Sequence, residues 1–319
     1  MNCSLNSTEK IIVITSVYED LEAFNKLLID LEIEFLDKVY VVAVDDGSVR
    51  AGLKREFWKS NLNGLIIKLK RNVGHQQAIF VGINWTAKFI ERKQIAVIMD
   101  GDGEDSPASI KILIHALNQP DIDVAVASRA KRSEPLKFKF FYNFYKFLFK
   151  ILTGKKINFG NFMAMKQASL NRIAAMHESS IHLAASVLIS NLNLHYSKIN
   201  RGNRYAGKSK MNFSFLVLHG FRGLMVFFES ILIRLAIFCG LIASFSILTT
   251  FVILALKFLN YTPPGWSSIA IGIIMVVLIQ TIMLSLISLM MVGMIKSFTP
   301  SPNLDMESLI EHTIEINKN

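Results

Sequence analysis

Two uncharged runs near the carboxyl end constrain this chain more than any other feature. Residues 235–256, LAIFCGLIASFSILTTFVILAL, carry no charged side chain over 22 residues. A helix of that length measures roughly 33 Å, enough to cross a hydrocarbon core of about 30 Å. Residues 266–295 form a second uncharged run, long enough to span with tilt. Between them lies Asn260-Tyr261-Thr262-Pro263-Pro264-Gly265-Trp266, where prolines and glycine break the helix and Tyr261 and Trp266 suit a headgroup region. The alternative is a helical hairpin buried in a soluble core, but helices so apolar all round are rare outside membranes.

Composition fits a membrane-attached chain. Hydrophobic residues make up 51% and charged residues 19% of 319 residues, against about 25% charged in an ordinary soluble domain. Disorder, collagen and coiled coil are excluded on that balance. The formal net charge of +10 invites an anionic partner, whether nucleic acid, phospholipid or phosphorylated substrate. The two cysteines, Cys3 and Cys239, are too few for a disulfide framework or a cysteine-rich zinc site.

The first residues, MNCSLNSTEK, hold no apolar signal-peptide core, so the long amino-terminal region is expected to stay in the cytoplasm. Arg222, Arg234 and Lys296 flank the hairpin on one side, while the 257–265 loop has one lysine. The positive-inside rule then puts both termini inside, at the inner membrane of the cell. The expected organisation is a cytoplasmic domain over 1–212, a juxtamembrane helix over 213–234, a two-helix hairpin over 235–296 and a tail over 297–319. The tail is expected to be loose or to form a short helix around Met306–Ile314.

The first 225 residues alternate strand and helix. Ile11–Thr15, Val39–Val44, Leu65–Leu69, Ile95–Met99 and Val124–Ala127 read as buried strands. Leu21–Phe35, 51–60, Gly74–Ile90 and 107–118 read as helices between them. Continuous apolar strands separated by helices imply an α/β fold with a mainly parallel sheet covered on both faces. In such sheets the ligand sits at the carboxyl ends of the strands. Polar clusters fall there: Ser16–Asp20, Asp45–Ser48, Arg71–His75, Asp100–Asp105 and Ser128–Arg132. One such cluster is an ordinary turn; five at successive strand ends suggest one shared crevice.

Asp100-Gly101-Asp102 puts two carboxylates at a strand end, directly after buried VIM and before Glu104-Asp105-Ser106-Pro107. Mg²⁺ usually takes one or two carboxylates plus substrate phosphates. Asp-x-Asp triplets also cap helices and make turns, so the strand context carries the argument. Asp45 and Asp46 read either as a turn built on Gly47 or as partners of a base or ribose. No G-x-G-x-x-G follows the first strand and no lysine phosphate loop occurs, which disfavours a dinucleotide cofactor. His75 reads as a capping or packing histidine rather than a base.

Basic residues cluster twice. From Arg129 to Lys156 nine Lys/Arg stand against one acid, Glu134, interleaved with aromatic residues. That pattern suits a helix lying in the membrane interface, or a core helix with solvated lysines. Lys198, Arg201, Arg204, Lys208 and Lys210 follow in a glycine-containing loop without an acid. Such a loop grips a phosphate or meets anionic lipid.

IVITSVYED, VDDGS, RNVGHQQAIFVG, VIMDGDGEDSP, VASRAKR and RGNRYAGKSK occur in that order ahead of two spans. Together they resemble glycosyltransferase family 2, in particular its polyprenyl-phosphate glycosyltransferases. The resemblance covers roughly residues 9–295. It implies a GT-A fold, a UDP- or GDP-sugar donor, Mg²⁺ or Mn²⁺, a polyprenyl phosphate acceptor such as undecaprenyl phosphate, inversion at the anomeric carbon, and a homo-oligomer; nucleic acid is not a partner. By motif, Tyr18, Glu19, Asp45, Asp46, Asn72 and Gly74 would line the donor pocket. Asp100, Asp102 and Glu104 would hold the metal, with Glu104 where the family usually has Gln. Arg129, Arg132, Arg201, Arg204 and Lys210 would meet phosphates. The chain departs from the family pattern at Ser16, usually Pro, and at Phe162-Met163-Ala164, which lacks an arginine.

A lipid phosphate is ionised near neutral pH, so its transfer needs no strong base and rests on positioning and electrostatics. Transfer to a hydroxyl of a lipid-linked oligosaccharide would instead need a carboxylate such as Asp105 as base. A non-catalytic membrane scaffold is the third reading, against which the ordered acidic motifs argue.

Overall fold

The computed structural model describes residues 10–129, 146–200, 202, 204–205, 213–298 and 306–317. Those residues divide into two units, one of 1–147, 155–226 and 302–319, the other of 148–154 and 227–301.

The first unit is built on one eight-stranded sheet. Its strands are β1 (Ile11–Val17), β2 (Val39–Asp45), β3 (Asn63–Leu69), β4 (Ile95–Ile98), β5 (Val124–Arg129), β6 (Phe159–Lys166), β7 (Leu194–Ile199) and β8 (Ile310–Ile316). They lie in the order β7-β5-β6-β4-β1-β2-β3-β8. β3, β2, β1 and β4 run parallel, and β5 and β7 run parallel. The antiparallel strand β6 joins the two sets. The sheet is therefore mixed rather than mainly parallel. β6 and β8 are the antiparallel insertions, and neither was foreseen.

The parallel strands form because both faces are covered. Every residue of β2 is buried, and the β-branched runs of β1 and β2 leave no polar face. The helix α1 (Leu21–Phe35) packs Phe24, Leu27, Leu28, Leu31 and Phe35 against one face, at the spacing of a single helical stripe. Asp20 caps that helix by accepting the Ala23 N–H at 3.4 Å. On the sheet also lie α2 (His75–Ala87) and α3 (Ile110–Leu117), followed in the chain by a helical stretch over 146–153 (α4), α5 (Gln167–Ala174), α6 (Leu183–Ile189) and α7 (Phe213–Met225). The expected helix over 51–60 is a short 3₁₀ turn, Arg55–Phe57. Trp58 there is buried against Phe24, so packing of one large ring, not helical periodicity, organises the segment.

Beyond β1 the chain reverses direction across the sheet. β2 and β3 lie on one side of β1 and β4 on the other, the arrangement that opens a crevice at the carboxyl ends of β1 and β4.

The second unit holds α8 (Phe228–Phe258) and α9 (Trp266–Phe298), which pack on each other. Phe228–Phe258 and Trp266–Met294 are each long and apolar enough to cross a membrane. Their apolar side chains are largely exposed, Phe245 and Ile269 among them, as lipid contact requires and a soluble core does not. The helix expected over 213–234 is two pieces, with α7 ending at Met225 and α8 starting at Phe228. Within this unit α4 is fixed by Phe149, whose ring meets Phe227 edge-on at 5.4 Å.

The tail returns to the first unit. A single turn, α10 (Met306–Leu309), leads into β8, which pairs antiparallel with β3 from Gly64↔Ile316 to Leu69↔Ile310. The expected loose or helical tail is thus an edge strand, pinned further by Lys68–Glu311 and Lys88–Glu307 ion pairs.

Candidate active site

Strand ends β1 to β4 are laced together by carboxylates. Glu19 follows β1 with φ of 50°. Its carboxylate accepts the N–H groups of Val49, Arg50 and Ala51 at 2.7, 3.0 and 2.9 Å, and its own N–H donates to the Ser48 hydroxyl at 2.9 Å. The N–H groups of Arg50 and Val49 hold its pKa below the ordinary carboxylate value. Asp45, fully buried, accepts from Ser48 N–H at 2.9 Å and Leu53 N–H at 2.8 Å. Asp46 accepts from Val73 N–H at 2.7 Å and Gly74 N–H at 3.0 Å. Burial raises the Asp46 pKa against those two bonds. Glu19, Asp45 and Asp46, expected to face the donor, therefore brace the loops after β2 and β3. Gly47 shows how close those loops come: at φ of 69° its hydrogen stands where a Cβ would lie 2.3 Å from the Arg71 carbonyl carbon. Tyr18 and Asn72 are exposed at the same rim.

The acidic motif after β4 folds on itself. Asp105, buried, accepts the Asp100 N–H at 3.1 Å, and Asp102 accepts the Glu104 N–H at 3.0 Å. Asp105 thereby braces the turn.

Asp100 faces His75, the first residue of α2, with Oδ1 3.1 Å from Nε2. The imidazole also meets Ser16 Oγ at 2.7 Å through Nδ1 and Asn161 Nδ2 at 2.9 Å through Nε2. Backbone fixes the amides: Leu183 N–H donates to Gln76 Oε1 at 2.8 Å, so Gln76 Nε2 donates to Asn161 Oδ1 at 3.1 Å. Asn161 then turns its own N–H toward His75, whose Nε2 lies between a donor and a carboxylate. Burial pulls the His75 pKa down, but Asp100, then Asp102 and Asp46, outweigh it and hold the imidazole above its ordinary value. His75, expected as a capping or packing histidine, thus opens α2 among the strand-end polar groups. Its partners come from β1, from β6 and from the turn after β4, which is why no local pattern marks it.

Asp102 and Glu104 both meet the Arg204 guanidinium. Arg204 places Nη2 2.8 Å from Asp102 Oδ2 and Nε 2.8 Å from Glu104 Oε1. Backbone seats that arginine, since Gly202 N–H donates to the Glu104 carbonyl and Tyr205 N–H to the Asp102 carbonyl, both at 2.9 Å. The Tyr205 hydroxyl donates to Asp30, and Lys26 Nζ donates to the Tyr205 carbonyl at 3.1 Å. Burial first, then Asp30 and Asp102, raise the Tyr205 pKa, so the phenol stays protonated. Gly103, at φ of 88°, passes under the Tyr205 ring, where a Cβ would lie 2.5 Å from the ring edge.

Of the residues expected to hold a metal, Asp102 and Glu104 converge and Asp100 turns to His75. Among the described residues no three His, Cys, Asp or Glu side chains form a metal cage. The oxygen donors of Asp102 and Glu104 are nonetheless of the type that Mg²⁺ or Mn²⁺ takes alongside substrate phosphates. Arg129 ends β5. Arg132, Arg201 and Lys210 lie outside the described residues.

Comparison with known proteins gives a consistent picture. The family model described as Glycosyl transferase family 2 matches residues 12–178. An uncharacterized glycosyltransferase of Bacillus subtilis strain 168, YkoT, is 25% identical over 238 residues, covering 73% of this chain and 69% of that protein. One from Synechocystis, also described as an uncharacterized glycosyltransferase, is 26% identical over 255 residues, covering 77% and 78%. Among solved structures, glucosyl-3-phosphoglycerate synthase from Mycobacterium tuberculosis, in complex with Mn²⁺ and uridine-diphosphate-glucose, superposes with a TM-score of 0.50 at 10% identity. That match covers 70% of this chain and 79% of that one. At such identity the likeness concerns the fold.

Proposed function

The chain belongs to glycosyl transferase family 2, and from that premise we propose that it moves a sugar from a UDP- or GDP-sugar onto a membrane polyprenyl phosphate, with inversion. The observation that carries the reading is the carboxylate pair Asp102 and Glu104, set beyond β4 beside the chain reversal and already balanced by a cation, Arg204. The two membrane-length helices support a lipid acceptor over a soluble one, and the basic residues of 129–156 support a phosphorylated one.

Donor diphosphate and acceptor phosphate are both anionic and repel. Asp102 and Glu104, with Asp100 beside them, would hold Mg²⁺ or Mn²⁺, which when bound supplies charge neutralisation of the leaving diphosphate. An acceptor phosphate oxygen forms the new bond to the anomeric carbon from the face opposite the nucleotide. The bond to the diphosphate breaks, and its electron pair leaves with the nucleoside diphosphate. No proton has to be removed from an ionised phosphate, so this transfer needs no carboxylate base. The basic loop of Arg201, Arg204 and Lys210 would neutralise phosphate charge. Tyr18, Asn72 and Gly74 would line the nucleotide end.

The test is product formation by the full-length protein in membranes, supplied with UDP- and GDP-sugars, Mn²⁺ or Mg²⁺ and undecaprenyl phosphate, read by mass spectrometry of the lipid. A glycosyl phosphate lipid is expected that disappears with EDTA and in Asp102→Asn. Sugar transfer only to a hydroxyl of a lipid-linked oligosaccharide, or full turnover by Asp102→Asn, would overturn it.

A further inference from the structure

We infer that Arg204 caps the acidic motif before substrate arrives, so that a divalent cation must displace its guanidinium from Asp102 and Glu104. The inference rests on the metal reading above and adds a competition to it.

The geometry is that of a built contact rather than a chance surface pair. Nη2 and Nε, on one edge of the guanidinium, engage two different carboxylates at 2.8 Å each. Side-chain exposure of the three groups is 30%, 22% and 17%, so solvent screens the pairs only in part. The backbone on either side of Arg204 is tied to the motif it caps, through Gly202 to Glu104 and through Tyr205 to Asp102. Tyr205 adds a third tie at Asp30, and its ring closes over Gly103, where no side chain could fit.

A cap of this kind answers to charge density. A divalent ion offers the carboxylates twice the charge at a shorter distance, and a donor diphosphate offers the released guanidinium its own oxygens. Exchange of both partners together is cheap, whereas either alone removes an ion-pair partner from a half-buried charge. The motif would therefore take up free metal weakly and metal with donor well, so that the crevice assembles only when the nucleotide-sugar is present.

Mn²⁺ binding to the purified full-length protein, without nucleotide, measures this directly by the electron paramagnetic resonance signal of unbound Mn²⁺. If Arg204 occupies the carboxylates in nine molecules of ten, Arg204→Gln binds Mn²⁺ about tenfold more tightly than the native chain. Loss of any nearby positive charge also favours a cation, so the second variant keeps every charge. Tyr205→Phe removes only the hydroxyl tie to Asp30, and is expected to tighten Mn²⁺ binding about threefold by loosening the cap. Unchanged or weaker Mn²⁺ binding by Arg204→Gln, or tightening by Arg204→Gln with none by Tyr205→Phe, overturns the cap. Both variants are checked for a native thermal unfolding midpoint. The metal reading fails separately, if Asp102→Asn in the Arg204→Gln background still binds Mn²⁺ with the same affinity.

Discussion

Asp45 illustrates what a single buried carboxylate does in this crevice. Its two oxygens each take one backbone N–H, from Ser48 and from Leu53, across a loop that no regular structure holds. Replacement by Asn keeps the shape but turns an NH₂ group toward one of those donors. A buried donor without an acceptor costs about 1–3 kcal/mol, so Asp45→Asn is expected to lower the thermal unfolding midpoint while leaving the acidic motif intact. A native midpoint would show that the loop is held elsewhere. At this scale the sequence locates carboxylates at strand ends but cannot say which face a ligand. Asp45 and Asp46 are adjacent, yet each serves a different loop, and Glu19 reaches residues about thirty positions away. Such partners exist only once the strands are in register. The same holds for His75, whose role depends on Asn161 and Asp100.

At the scale of elements, the junction of α6 and α7 sets a buried histidine, His182, against a half-buried one, His219. His182 caps α6, its Nδ1 accepting the Ala185 N–H at 3.3 Å, and its ring lies 4.4 Å from that of His219 on α7. Burial, the neighbouring His219 and Arg222 push the His182 pKa down to about 3. The unfolded chain would take a proton near pH 6.5 and the folded chain would not. The unfolded state therefore binds more protons between those values, and stability is full above pH 6.5 and falls as pH drops below it. One such proton is worth up to about 1.4 kcal/mol per pH unit. His182→Asn keeps an oxygen for the cap and removes the titration, so its unfolding midpoint should fall less than that of the native chain between pH 7 and pH 5. Parallel pH profiles of the two proteins would place the acid sensitivity elsewhere.

The strand β8 is the second element-scale case. Ile310, Ile314 and Ile316 stand at even spacing, a period-two signal of a strand. Its acidic neighbours and preceding prolines gave the segment the look of a tail. Ile316 is buried in the sheet core, and deletion of residues 310–319 would leave β3 as an open edge. The truncated protein is expected to unfold at lower temperature and to aggregate on heating, measured by light scattering during a thermal ramp; unaltered behaviour would mean that the pairing contributes nothing. The central strands, by contrast, were legible, because β1 to β4 are buried on both faces and need only continuous apolar runs. The antiparallel β6 and the polar alternation of β7 give no such run, since their pairing depends on distant partners.

For the whole molecule, β8 turns a compositional expectation into a geometric one. The chain leaves the first unit after α7, passes through α8 and α9, and comes back to hydrogen-bond along β3. A strand cannot pair with another across a bilayer, because its N–H and C=O groups would go unsatisfied in hydrocarbon. If α8 and α9 span, the residues before the hairpin and those after it must therefore share one side, and the turn at Asn260–Trp266 must lie on the other. By the positive-inside rule, Arg222, Arg234 and Lys296 against the single Lys257 lead to the expectation that the shared side is the cytoplasm. In a chain with Cys3 and Cys239 replaced, Thr262→Cys is expected to react with a membrane-impermeant maleimide added to intact cells. Ser308→Cys should react only after the cells are opened. Labelling of Ser308→Cys from outside, or of both positions from the same side, would break the hairpin topology. It would also separate the acidic crevice from the cytoplasmic pool of nucleotide-sugars on which the proposed transfer depends.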